Sequence, residues 1–209
     1  GRKPITINRE GGTAEARRLQ GGSRGGRKPI TINREYPMNP KLAFLFERRS
    51  IRHYTDRAVP EAMVSDLLEA AMAAPSAVAK DPWEFLVVRQ PETLRAIAEA
   101  LPNGKMLAKA PLGFVVCGDL ERAHGNELSY LLQDCSAAVE NLLLAATALG
   151  LGACWLGVHP REQRIERIRE LFQLPQNVLP IAAVAVGFPD ETAKPRTRYD
   201  EAHVHHETW

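Results

Sequence analysis

From Met38 onward, apolar and polar positions alternate in blocks whose periods name the elements. Residues 41–48 hold a short apolar run, Leu42 to Phe46, that predicts a helix ending at Arg48 and Arg49. After Val59-Pro60 the apolar positions Met63, Val64, Leu67, Leu68, Ala71 and Met72 form a helical stripe, started by a proline and stopped before Pro75. Phe85–Val88 predicts a strand, Leu94–Leu101 a short helix, and Leu112–Cys117 a second strand that is apolar throughout and therefore buried. Residues 128–149 form the longest helix, apolar around most of its circumference (Leu128, Leu131, Leu132, Cys135, Val139, Leu142, Leu143, Ala146, Leu149), with Gly150 placed to cap its end. Ala153–Leu156 is a third strand, residues 161–172 an amphipathic helix with Ile165, Ile168, Leu171 and Phe172 inward, and Ile181–Val186 a fourth strand. From Pro189 the chain has no period and reads as extended. Strands separated by helices predict one layered domain around a buried sheet, of the α/β kind. The second apolar face of the helix at 128–149 is more than one such domain needs and reads as an interface between two copies.

Charge divides the chain differently. The net charge of +2 over 209 residues hides two unlike parts. Residues 1–37 carry nine Lys/Arg against three Glu, a net of +6, and the remainder carries 18 Lys/Arg against 22 Asp/Glu, a net of −4. The first part also contains seven of the fifteen glycines and the sequence GRKPITINRE twice, at 1–10 and 26–35. It has too few apolar side chains to offset its ordering entropy, and two copies cannot stack into a solenoid. Residues 1–37 are therefore expected to be a basic, Gly-rich leader, disordered or non-native, and 38–209 the folded domain. The acidic body does not present the positive field a nucleic acid requires, and no run reaches the ~20 apolar residues of a membrane helix.

Several chemistries are excluded by spacing. Gly150-Leu-Gly-Ala-Cys-Trp-Leu-Gly157 leaves a helix and enters a strand, the reverse of a dinucleotide-binding turn. Gly104-Lys105 lacks the rest of a P-loop, and no GxSxG or HExxH occurs. The three cysteines, Cys117, Cys135 and Cys154, are an odd number with no CxxC spacing. They read as core thiols in a reducing cytoplasm, not as a disulfide framework or zinc site. His203, His205 and His206 lie together without acidic partners at ligand spacing, and no metal is expected.

Four stretches remain. Arg48-Arg49-Ser50-Ile51-Arg52-His53-Tyr54 ends the first helix. Pro75-Ser76-Ala77, followed by Pro82-Trp83, leads into a strand. Gln133-Asp134-Cys135-Ser136 and the glycine-rich segment 150–157 bracket the long helix. Gly187-Phe188-Pro189 and Pro195-Arg196-Thr197-Arg198-Tyr199 close the chain. In this order and spacing they resemble the flavin-dependent nitroreductase family, over about Met38 to Trp209.

The resemblance implies an α+β fold, a three-layer α-β-α arrangement with a central, mostly antiparallel sheet. It also implies a homodimer with FMN in clefts at the interface. The implied activity is transfer of hydride from NAD(P)H through flavin N5 to a small-molecule electron acceptor, a nitro compound, quinone, enone or flavin, by a ping-pong mechanism. Arg48, Arg49, Ser50 and Arg52, with Arg196 and Arg198 from the far end, would meet on the phosphate and ribityl chain, for which guanidinium forks are suited. They equally read as solvated surface arginines. Pro75, Ser76 and Ala77 would reach the ring from the second subunit. Trp155, Leu156 and Gly157 would offer backbone N–H groups near N5, although Trp155 also reads as a core aromatic. Lys105 either places a cation where charge develops on reduction or is an ordinary surface lysine. No catalytic side chain is nominated, because the cofactor carries the chemistry. The sequence departs from the family pattern at Ala79 and Asp81, where amides are usual. That departure motivates the alternative of a non-catalytic flavin-binding or redox-sensing module.

Overall fold

The computed structural model of the chain describes residues 39–209; the reading of residues 1–37 lies outside them. Residues 39–199 belong to one compact unit, and Asp200–Trp209 to another. In that second unit Asp200 caps the short turn Glu201–His203 through the Ala202 N–H, and His205 stacks on Trp209 at 4.2 Å.

The larger unit contains α1 (Ala43–Glu47), α2 (Glu61–Met72), β1 (Trp83–Val88), α3 (Pro91–Ala100), β2 (Leu112–Asp119), α4 (Leu128–Ala148), β3 (Gly152–Gly157), α5 (Glu162–Phe172) and β4 (Val178–Gly187). The periodic stretches become the expected elements, and the ends differ. β1 begins two residues early at Trp83, and α3 begins at Pro91, whose missing N–H costs nothing in the first turn. Gly150 has φ +73°, and the N–H groups of Gly150 and Leu151 bond to the carbonyls of Thr147 and Ala146. That paired closure is the Schellman arrangement expected of a glycine after the last helical turn. α5 closes the same way on Gln173 at φ 50°, for which the sequence carries no glycine signal.

The four strands form one sheet in the order β1-β2-β4-β3, and all three pairings are antiparallel. The fold is α+β rather than the α/β architecture that strand–helix alternation suggests. β2 and β3 both run opposite to β4 and are therefore parallel to each other. The crossover through α4 makes them a βαβ unit split by β4. One residue of β4 bulges where Val116 opposes Ala182 and Cys117 opposes Pro180.

Side chains alternate across the sheet and build two cores. Leu112, Phe114, Val116, Val184 and Val186 pack with Val64 and Leu67 of α2 and with Leu131, Val139 and Leu142 of α4. Val115, Cys117, Ala183 and Ala185 face Leu94 and Ile97 of α3 and Ile165 and Ile168 of α5. The result is three layers, α-β-α. All three cysteines are free and buried; loss of water pushes the Cys117 and Cys135 thiols up to about 12, and burial raises Cys154 as well.

The segment after α1 is fastened along the outer edge of β3. Ser50 bridges Ala153, the Ile51 N–H donates to the Ala153 carbonyl at 3.0 Å, and Ile51 is buried. Gly152 permits this approach, since a Cβ there would lie 2.6 Å from Ile51 Cγ2. The chain beyond β4 then folds over the segment. Thr55 and Phe188 pair through their main chains, as do Asp190 and His53, and Glu191 Oε1 accepts from the N–H groups of Arg52 and His53. Those main-chain donors, Arg52 first, hold the Glu191 carboxyl below its usual value.

Two outcomes are expected. Gly152→Ala should destabilise the fold by about 1–3 kcal/mol through overpacking against Ile51, read as a lower urea midpoint with an unchanged slope. A group whose pKa is lowered on folding adds stability above its unfolded value and loses it as pH falls. Glu191→Gln should therefore be less stable than the parent at pH 7, and the gap should close below about pH 4, measured by thermal unfolding across pH.

Candidate functional site

β3 is an edge strand, and its hydrogen bonding determines what it shows to solvent. Residues of a strand alternate in the direction of their amide groups. The Ala153 carbonyl accepts from Ile51, and the Gly157 carbonyl accepts from Arg164 Nη1 at 2.8 Å, both on the side away from β4. Trp155 lies between them in the same phase, so the amide groups of Trp155 and Gly157 face outward, beyond the end of the docked segment.

That edge forms one wall of an open cleft of about 640 Å³. Trp155, Leu156 and Gly157 line it from β3, and Arg52 enters from the docked segment. Pro102, Asn103, Lys105 and Met106 come from the turn after α3, and Arg164 from α5. Three cations thus converge with no carboxylate among the lining residues. Trp155 is 37% exposed, so it is a cleft residue and not a core aromatic. Cys154 reaches the same wall but is buried beneath it, and its raised pKa keeps it a thiol at neutral pH.

The remaining expected residues lie elsewhere. Arg48 pairs loosely with Glu140 at 3.5 Å, and Arg49 Nη1 donates to the Lys194 carbonyl. The Arg196 N–H donates to the Phe46 carbonyl at 3.0 Å. The two arginine-rich stretches, nearly 150 residues apart in sequence, are therefore brought side by side, with Ser50 on the same docked segment. Arg48, Arg49, Ser50, Arg196 and Arg198 do not line the cleft of a single chain.

Pro75, Ser76 and Ala77 belong to a different place again, the loop between α2 and β1. Ser76 Oγ donates to Asp81 Oδ1 and accepts from the Asp81 N–H, so the hydroxyl is engaged within its own loop. Arg122 Nη2 donates to the Asp81 carbonyl, and the Ala77 N–H donates to Oδ1 of Asp134, a buried carboxylate on α4. Held this way, Val78, Ala79 and Asp81 take φ of 49°, 51° and 48°. A left-handed β-branched residue is strained, and Val78 is also 69% exposed. Such a conformation has no sequence signature without glycine or asparagine. Asn103, Met106 and Arg164 were not foreseen in the site either. They sit in a turn and on a helix whose proximity to β3 exists only in the folded chain.

Known proteins resemble this chain in sequence and fold. The profile of the Nitroreductase family matches residues 45–103 and 99–188. A protein of Methanothermobacter thermautotrophicus, assigned as an NADH dehydrogenase/NAD(P)H nitroreductase, is 47% identical over 164 residues, covering 78% of this chain and 84% of that protein. The structure of an FMN-dependent nitroreductase from Clostridium difficile superposes with a TM-score of 0.74 at 31% identity, covering 80% of this chain and 99% of that one. A protein from Desulfovibrio desulfuricans, assigned as a nitroreductase and solved in complex with FMN, does so with a TM-score of 0.71 at 32% identity, covering 83% and 99%. Among the described residues no helix is long and apolar enough to cross a membrane. The split antiparallel sheet, the cleft on its β3 edge and the family profile that runs from α1 to the end of β4 lead to one assignment: the chain belongs to the nitroreductase family.

Proposed function

We propose that the protein is an NAD(P)H-dependent oxidoreductase that holds FMN against β3 and works as a homodimer in the cytoplasm. It passes electrons to a nitro compound, quinone, enone or flavin in ping-pong order. The observation that carries this reading is the cleft, where outward β3 amides, an apolar wall and three cations meet. Its volume of about 640 Å³ falls within the ~300–1,000 Å³ usual for small-molecule sites. A flat aromatic ring with a polar edge and a dianionic tail asks for those three kinds of surface, so the residues fit FMN.

Bound FMN supplies the two-electron redox chemistry between NAD(P)H and the acceptor. The chain supplies the rest. Trp155 and Gly157 offer N–H donors fixed by the strand, which cost no reorganisation when charge develops opposite them. Gly157, without a side chain, leaves that edge open. Lys105 adds positive charge on the facing wall, and Leu156, Trp155 and Met106 exclude water. Arg52 and Arg49 from the chain after α1, with Arg196 and Arg198 on the strap formed by the chain beyond β4, offer guanidinium groups for the phosphate. The apolar groups that α4 and the strained loop leave outward, Leu128, Tyr130 and Val78, support a second copy as the missing wall. That copy would bring Pro75, Ser76 and Ala77 to the ring.

The reading as a non-catalytic module rested on Ala79 and Asp81. The Asp81 carboxylate is hydrogen-bonded to Ser76 in its own loop, which fixes its direction and leaves its negative charge in place.

Purified protein should be yellow, and anaerobic NAD(P)H without acceptor should bleach the flavin band in stopped flow. Colourless protein that takes up no FMN overturns the proposal, and bound flavin that NAD(P)H cannot reduce favours the non-catalytic module. Arg198→Ala should weaken FMN binding by about 1.5–3 kcal/mol if its guanidinium contacts the phosphate, read as the dissociation constant by fluorescence titration.

A further inference from the structure

The cleft does not end at Arg164. Pro102 and Arg164 also line a second hollow of about 360 Å³, which Arg167 enters from α5 and Arg161 from the residue before it. That hollow in turn shares Glu99, Ala100 and Arg167 with a third, of about 410 Å³. One groove thus leaves the flavin cleft and runs between the end of α3 and α5. Its positive charge is concentrated on one element. Arg164 and Arg167 stand three residues apart on α5, and Arg161 is the extended residue that precedes its first turn. The side chains of Arg161 and Arg167 make no hydrogen bond or ion pair among the described residues, whereas Arg89, Arg95 and Arg122 are each paired with a glutamate. Arg164 is committed to the Gly157 carbonyl at the cleft edge.

We propose that this groove receives the phosphorylated adenosine half of the electron donor, and that Arg161 and Arg167 make the protein prefer a donor bearing a 2′-phosphate, NADPH, to NADH. The inference deepens the flavin oxidoreductase reading and rests on it. A nicotinamide stacked in the cleft must direct its diphosphate and adenosine somewhere, and the groove is the continuous exit that carries unpaired guanidinium groups. A phosphate dianion gains charge-assisted bonds there that a ribose hydroxyl cannot supply. Glu99 from α3 and Glu170 from α5 line the third hollow, which disfavours an anion placed there and leaves the second hollow, where Arg161, Arg164 and Arg167 outnumber Glu99, as the place for a phosphate.

The test compares adenosine 2′,5′-bisphosphate with AMP by calorimetry on the holoprotein, and NADPH with NADH in steady-state kinetics, for the parent and for Arg161→Ala/Arg167→Ala. The parent should bind the bisphosphate roughly ten-fold more tightly than AMP, and the double variant should lose most of that difference. In parallel, kcat/KM for NADPH should fall roughly ten-fold relative to that for NADH, with bound flavin unchanged. A parent that binds both nucleotides equally or favours NADH overturns the inference, as does a double variant that keeps the parent's discrimination. Protein without flavin that still separates the two nucleotides would refute the flavin reading and leave the groove standing. Flavoprotein reduced equally by both donors would refute the groove alone.

Discussion

The docking of residues 50–55 along the edge of β3 is the contact on which the site depends. It requires that Gly152 carry no side chain, because Ile51 occupies the space a Cβ would need. Once made, the contact satisfies the first half of the strand's outer edge and ends before Trp155. The second half keeps its amide groups and becomes a cleft wall. The same contact delivers Arg52 to that cleft and gives Glu191 two N–H donors, which ties down the chain beyond β4. An edge strand is ordinarily a hazard for unwanted pairing. Here half is covered by the chain itself and half stands open as a cleft wall.

The sheet behind that edge is buried on both faces, so β4 at its centre accepts only small or β-branched residues where helices press closest. Ala182, Ala183 and Ala185 are fully buried between α4 on one side and α3 and α5 on the other. On β2, Gly118 lets Leu131 and Cys135 of α4 approach the strand, since a Cβ there would lie 2.5 Å from a Leu131 methyl. The long helix is held at a fixed height above the sheet. That constraint places Asp134 where it can hold the Ala77 N–H and so shape the strained loop that carries Pro75 and Ser76.

The site is therefore assembled from elements with different tolerances. β3, Arg52 and Arg164 are fixed by strand register, a buried isoleucine and a helix whose Ile165 and Ile168 lie in the core. The turn with Asn103, Lys105 and Met106 is anchored by Leu101 and Leu107, which are both buried, while its polar residues face the cleft. Rigid backbone donors thus stand beside adjustable cations in one cleft, which suits the successive use of a donor and an acceptor proposed above.

Periodicity alone located all nine elements, because burial on one face or two imposes the period of the element on the chain. The Gly150 cap and the inert cysteines were legible for the same local reason. Spacing of arginines, glycines and prolines carried the family resemblance, and of the residues that the resemblance implied, Arg52, Lys105 and Trp155–Gly157 line one cleft. The direction of the strands was not legible in the local pattern, because an apolar run fits parallel and antiparallel pairing alike; the family resemblance implied the antiparallel sheet that is found, and the shared core selects the order β1-β2-β4-β3. Nor was the engagement of Ser76 by Asp81, which depends on three left-handed residues that no glycine announces. The meeting of Arg49 with the strap at Lys194, and of Arg164 with Gly157, belongs to the same class. Contacts between segments far apart in the chain leave no periodic trace, and they exist only once burial of the two cores has brought those segments together.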